Sequence, residues 1–138
     1  MLFLVIVMVC LCSQAIATIE ITSPQRLDKV SWRTKIDGQI TPFQNDTNVY
    51  VLIWSTYDKG PYYVYEADLL PNGSWMADAK VGRDPRQFPE DIGGTYRIIA
   101  IETNETISYG QIDEIPGNAI ESKKIDVDRS SDLYPEGY

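Results

Sequence analysis

From residue 18 onward, apolar and polar side chains alternate with a period of two in one segment after another, the mark of strands with one face buried. Val30, Trp32, Thr34 and Ile36 alternate with Ser31, Arg33, Lys35 and Asp37; Trp75, Ala77, Ala79 and Val81 alternate with Met76, Asp78 and Lys80. Tyr96, Ile98 and Ala100 alternate with Arg97, Ile99 and Ile101, a strand with apolar character on both sides. Val49 to Tyr57 (VYVLIWSTY) is apolar on both faces and suits a central strand. Tyr62 to Leu69 and Ile120 to Val127 complete the set, with Ile19 to Thr22 as a first edge strand. Turn chemistry separates them: Asp58-Lys59-Gly60-Pro61, Pro71-Asn72-Gly73-Ser74, and Gly93-Gly94 before the Tyr96 strand. No segment sustains a capped helical period; Tyr109 to Ile115 would be one short turn at most. About seven short strands with regular turns and no long helix predict an all-β, antiparallel β-sandwich.

The N-terminus changes the domain count. Leu2 to Cys12 is an unbroken run of eleven apolar residues, followed by Ser13-Gln14 and then Ala15-Ile16-Ala17. That order fits a signal peptide over residues 1–17 with a small-residue cleavage site, although no Lys or Arg precedes the run. The run is shorter than the roughly 20 residues a spanning helix needs, so an uncleaved membrane anchor is the lesser alternative. Both cysteines, Cys10 and Cys12, fall inside it, so a chain beginning at Thr18 carries no thiol. The expected organisation is therefore a leader (1–17), one sandwich domain (18–128) and a flexible acidic tail (129–138). Residues 104–119 (NETISYGQIDEIPGNA) form a long excursion before the last strand, where an irregular functional loop would sit.

The net charge is −8, with 20 acidic against 12 basic residues. Nine of the acids but only three of the bases lie beyond residue 101. Such a balance disfavours nucleic acid and anionic membrane as partners, because phosphates would be repelled. There is no histidine anywhere. Together with the missing thiols this removes Ser–His, Cys–His and zinc-type constellations, and no pair of carboxylates is placed across a cleft by any pattern, so the expectation is a protein that is not an enzyme.

The stretches ITSPQRLDKVSWRTKIDGQI, VYVLIW, NGSWMADAKVG and GGTYRIIAIET resemble the immunoglobulin-like and fibronectin-type-III-like β-sandwich modules of prokaryotic, including archaeal, cell-surface and secreted proteins. The resemblance spans roughly residues 19–128. It implies an Ig-like sandwich that supplies binding, spacing or assembly surfaces and has no shared catalytic residues to transfer. The chain departs from antibody-type domains in lacking the inter-sheet cysteine pair. Asp91 and Tyr96 resemble the corner tyrosine of such folds, but lie five apart rather than four.

Three kinds of candidate site remain. Asn45, Asn72 and Asn104 each begin an Asn-x-Ser/Thr tripeptide between predicted strands, so each is either a glycosylation acceptor or a turn residue favoured for backbone reasons. In NGSW, Gly73 supplies positive φ and Trp75 anchors the core beside Ala77 and Ala79. Tyr50, Trp54, Tyr57, Tyr62, Tyr63 and Tyr65 crowd six aromatics into 16 residues. If Val49, Val51 and Ile53 face the core, Tyr50 and Trp54 face outward, joined across the hairpin by Tyr63 and Tyr65 or by Tyr62 alone. That platform could stack on sugar rings or anchor a protein; the alternative is aromatic pairing in a two-sided core or beneath a covering loop. Asp126, Asp128 and Asp132 are a candidate Ca2+ cluster or simply a solvated acidic stretch, and no other cofactor is implied. The expected function is a non-catalytic, secreted or cell-surface module of an envelope, adhesion or filament assembly, able to self-associate. The runner-up is a carbohydrate-binding module using the aromatic sheet face.

Overall fold

The computed structural model describes residues 16–108 and 110–138; most of the leader, with Cys10 and Cys12, lies outside the described residues. The strands are β1 (Thr18–Ser23), β2 (Lys29–Val30), β3 (Arg33–Thr41), β4 (Asn48–Ser55), β5 (Tyr62–Glu66), β6 (Asp68–Leu69), β7 (Ser74–Lys80), β8 (Thr95–Thr103), β9 (Gly110–Ile112), β10 (Ile120–Glu121) and β11 (Ile125–Arg129), with one 3-10 turn at Pro89–Asp91. All seven predicted strands are present. Three of them are broken, which raises the number: Val30–Ile36 divides into β2 and β3, Tyr62–Leu69 into β5 and β6, and Ile120–Val127 into β10 and β11. The fourth short strand, β9, arises inside the 104–119 excursion.

The strands form two sheets. One has the order β1-β3-β7-β6; the other runs β2-β11-β8-β4-β5-β9, with β10 also on β8. Every pair is antiparallel except β2 with β11. Two of the breaks share a cause, since the chain changes sheets there. Ser31–Trp32 carries it from β2 to β3, and Ala67 carries it from β5 to β6. At the third, Ser122 inserts itself into the ladder, its hydroxyl accepting from the Ala100 N–H at 2.9 Å.

The main core lies between the sheets and includes Ile36, Ile40, Val49, Val51, Ile53, Trp75, Ala77, Ala79, Ile98, Ala100 and Val127. Trp75 takes the anchoring place expected of it, and its indole lies against Gly38 on the neighbouring strand. A β-carbon at Gly38 would overlap that indole and the Glu20 carbonyl, so this is a position where only the missing side chain permits the packing. The β6–β7 hairpin closes through Gly73 N–H to Leu70 C=O at 2.9 Å, with Gly73 at φ 85°.

A second apolar cluster lies on the outer face of the larger sheet: Tyr50, Leu52, Val64, Ile99 and Ile101, packed against Ile107, Ile112, Ile115 and Ala119 of the excursion. The excursion is therefore a lid over a central sheet that is apolar on both faces. Register leaves the molecule with two poles. Thr18, Thr41, Asn48, Ser74 and Thr103 come together at the N-terminal pole through the pairs Thr18–Thr41, Gln39–Ser74 and Asn48–Thr103. Arg33, Ser55, Lys80, Tyr96 and the end of β11 mark the opposite, C-terminal pole. Residues beyond β11 begin there too, with Asp132 and Leu133 carbonyls accepting from Trp32 and Arg33 N–H at 2.9 and 3.0 Å.

Candidate functional site

The six clustered aromatics do not form one platform. Cross-strand partners share a face, and the register pairs Tyr50 with Glu66, Leu52 with Val64, Val51 with Tyr65 and Ile53 with Tyr63. Tyr50 therefore points to the outer face, but there it is 3 % exposed beneath the excursion, with its hydroxyl accepting from the Ile107 N–H at 3.1 Å. The covering-loop alternative holds for it. Trp54 and Tyr62 remain together on that face, ring centroids 6.4 Å apart and half-buried. The Trp54 indole N–H donates to Gly60 C=O at 2.8 Å, and the Arg97 guanidinium lies 5.5 Å from its ring. Tyr63 and Tyr65 face the opposite way, toward the gap between the sheets. Tyr57, 91 % exposed, stands alone in the turn after β4.

The acidic trio does not converge either. Asp126 takes two hydrogen bonds from Arg97, at 2.9 and 3.2 Å, and these hold its carboxyl below the usual range. Asp128 accepts from the Thr95 hydroxyl at 3.0 Å, and Asp132 from the Ser130 hydroxyl at 3.4 Å. Among the described residues no group of three or more metal-ligating side chains is placed to hold an ion. The reason is register: Asp126 and Asp128 are opposite polar partners on β8, which use their oxygens.

What the fold does build at the C-terminal pole is a cleft of about 370 Å³ between the sheets, lined by Trp32, Tyr63, Tyr65, Phe88 and Tyr96 with Lys80 among the polar groups. It exists because β6 covers only the first part of β7: their pairing involves Met76 and Trp75 alone, leaving the Asp78–Lys80 edge bare. Tyr65 reaches across the gap and its hydroxyl donates to the Lys80 carbonyl at 3.0 Å. Burial raises the pKa of that phenol. Trp32 enters from the sheet-changing step between β2 and β3, with the Lys80 ammonium 5.6 Å and the Arg33 guanidinium 5.3 Å from its ring.

The loop after β7 supplies the floor. Gly82, at φ 77°, passes under the Tyr96 hydroxyl. Burial pushes that hydroxyl up to about 12, and the neighbouring Asp91 charge adds to the shift. Asp91 does not act as a corner partner for Tyr96. Both its oxygens go to Arg83, at 2.8 and 3.0 Å, and these bonds hold the carboxyl below its ordinary range. The Arg83 guanidinium in turn lies 4.1 Å from the Phe88 ring, fixing Phe88 at the rim.

Arg129 completes the pole from beneath. It is 1 % exposed, and its Nη1 donates to the carbonyls of Val81 and Arg83 at 2.8 Å each, tying β11 to the loop that follows β7. Sequence reasoning missed this residue by assigning it to the tail, and it missed Phe88 because a loop has no period to read. A cluster of alternating charges around an isolated aromatic, from Arg83 to Asp91, was the available signal. The arrangement can stack flat rings or receive a side chain, and carries both charges beside them, Lys80 and Arg83 with Asp58, Asp84 and Asp91.

Asn45, Asn72 and Asn104 are all exposed. Among the described residues no helix is long and apolar enough to cross a membrane. Compared with known proteins, the chain matches no family and no curated sequence.

Proposed function

We propose that this chain is a non-catalytic, exported module of immunoglobulin-like build that works by protein contact at its C-terminal pole, in a cell-surface, adhesion or filament assembly. The observation that carries this reading is where exposed apolar side chains collect. Tyr57, Tyr63, Ile92, Tyr134 and Tyr138 are exposed around that pole, whereas Ile16 and Leu70 lie at the other, Leu27 along the sheet edge beside Asp126 of β11, and Met76 on a sheet face. Exposed apolar groups gathered on one side mark a contact surface more often than scattered ones do. The strand order supports the immunoglobulin-like part. The order β1-β3-β7-β6 matches A-B-E-D, and β11-β8-β4 matches G-F-C of that arrangement.

Self-association tests the reading. The protein from residue 18 onward is expected to sediment with a concentration-dependent mass, and a Tyr57→Ser/Ile92→Ser variant to remain monomeric. Sedimentation of both as monomers at every concentration, with no partner recovered from the envelope of the source cells, would count against it.

Carbohydrate binding is the second reading, now in the inter-sheet cleft instead of on the sheet face. Trp32, Tyr63 and Tyr65 lining one cavity favour it, since rings of this kind stack on sugars, with Lys80 and Asp58 among the polar groups that could meet the hydroxyls. A saturable shift of tryptophan emission on adding envelope polysaccharides, abolished by Tyr63→Ala, would replace the first reading with this one.

A further inference from the structure

The two poles differ in more than apolar exposure. Asn45 lies in the loop between β3 and β4, Asn72 in the β6–β7 turn, and Asn104 directly after β8. These are separate hairpins and strand ends, yet register brings all three to the N-terminal pole. Thr41 pairs with Thr18, Gln39 with Ser74, and Asn48 with Thr103. The Gln39 side chain donates to the Asn72 carbonyl at 2.9 Å, and the Thr47 hydroxyl to the Thr103 carbonyl at 3.4 Å, so the three loops adjoin.

The side-chain amides separate the asparagines of these tripeptides from the other two in the chain. The side-chain Oδ1 of Asn72 accepts from the Ser74 N–H at 3.0 Å and from the Ser74 hydroxyl, and its Nδ2 makes no hydrogen bond among the described residues. The side-chain Oδ1 of Asn104 accepts from Asn118 Nδ2 at 3.2 Å, and its own Nδ2 likewise makes no hydrogen bond among the described residues. Asn45 forms no side-chain hydrogen bond among the described residues and is exposed. The asparagines outside such tripeptides do the reverse: Asn48 Nδ2 donates to the Glu105 carbonyl at 3.2 Å, and Asn118 Nδ2 to Asn104. Nδ2 is the atom a sugar is joined to, and a nitrogen already donating within the fold would have to surrender that bond.

We propose that Asn45, Asn72 and Asn104 carry N-linked oligosaccharides that together cap the N-terminal pole, leaving the C-terminal pole as the bare contact end. The inference rests on the export reading above, because transfer requires the chain to meet a glycosyltransferase outside the cytoplasm. The donor is an oligosaccharide activated as a polyprenyl diphosphate ester. A bond forms between asparagine Nδ2 and the anomeric carbon, the anomeric carbon–oxygen bond breaks, and polyprenyl diphosphate leaves with the electron pair. The amide nitrogen gives up one proton, and nothing is oxidised or reduced. The hydroxyl two residues on (Thr47, Ser74 or Thr106) is the element the transferase reads. Leu70, exposed and two residues from Asn72, comes under the same cover, which accounts for an apolar side chain at a pole away from the contact surface.

Peptide mass spectrometry with electron-transfer fragmentation, on the protein from its source organism, is the test. Sugar increments are expected on at least two of Asn45, Asn72 and Asn104, with Asn48 and Asn118 bare. A Thr47→Val/Ser74→Ala/Thr106→Val variant keeps all three asparagines and is expected at the unmodified mass. Increments on one or none of the three, on Asn48 or Asn118, or persisting in the variant would overturn the cap. The N-terminal peptide of the same digest separates the two readings. A bare protein beginning at Thr18 defeats the cap and leaves export standing; a bare protein that retains its leader and fractionates with the cytosol, away from the membrane, defeats both.

Discussion

At the scale of the residue, a few side chains carry disproportionate structural weight because each solves a contact that no neighbour can. Gly38 is one: its missing β-carbon is the space that the Trp75 indole and the Glu20 carbonyl occupy. Gly38→Ala is therefore expected to destabilise by about 1–3 kcal/mol or more through overpacking, read as a lowered urea midpoint at unchanged slope. Trp75→Ala relieves the same clash while opening a cavity, so the double variant should cost less than the sum of the two singles. Strict additivity would show that the contact is not what makes the glycine necessary. Trp75 and Gly73 were legible in the sequence, one from its phase with Ala77 and Ala79, the other from turn chemistry. Arg129 was not. Its partners are backbone carbonyls at Val81 and Arg83, and carbonyls leave no trace in residue type.

At the scale of the element, the excursion over residues 104–119 decides what the central strand can do. Period-two patterning showed β4 to be apolar on both faces, and that much held. It could not show which segment covers the second face, since Ile107, Ile112 and Ile115 are more than 50 residues away from Tyr50 and Leu52 along the chain. The aromatic platform was lost there: Tyr50 is under the lid, and the β4–β5 register turns Tyr63 and Tyr65 into the inter-sheet gap. A polar group in the lid tests its grip. Ile107→Asp should open residues 104–119 to limited proteolysis and raise the binding of a hydrophobic dye, while amide exchange in β3 and β7 stays protected. Loss of protection throughout would mean that the lid and the main core are one cooperative unit.

At the scale of the whole molecule, the buried phenols and paired carboxylates set opposite limits on pH stability. The Tyr96 pKa in the fold, about 12, lies above the roughly 10 of an unfolded phenol, and Tyr65 is shifted in the same direction. Folding thus favours the neutral phenol. That contribution is complete below about pH 10 and is lost as pH rises through the folded value. Asp91 and Asp126 are displaced downward, so their contribution is present above about pH 4 and is lost as pH falls through their folded values. The urea midpoint should be flat between about pH 5 and 9 and fall on both sides. Tyr96→Phe should flatten the alkaline limb alone, and a variant whose alkaline limb matches the parent would remove Tyr96 as its cause.

By itself the sequence determined the strand periodicity, the turns, the all-β class and the Asn-x-Ser/Thr tripeptides, because each depends on residues within a few positions of one another. Tertiary structure alone decided where strands break to change sheets, which aromatics are buried, that Asp126 pairs with Arg97, and that β6 stops short enough to open a cleft. It also decided that three asparagines from different loops share a pole. Those outcomes turn on register between strands up to about 100 residues apart, and a period of two says which residues share a face without saying what that face will meet.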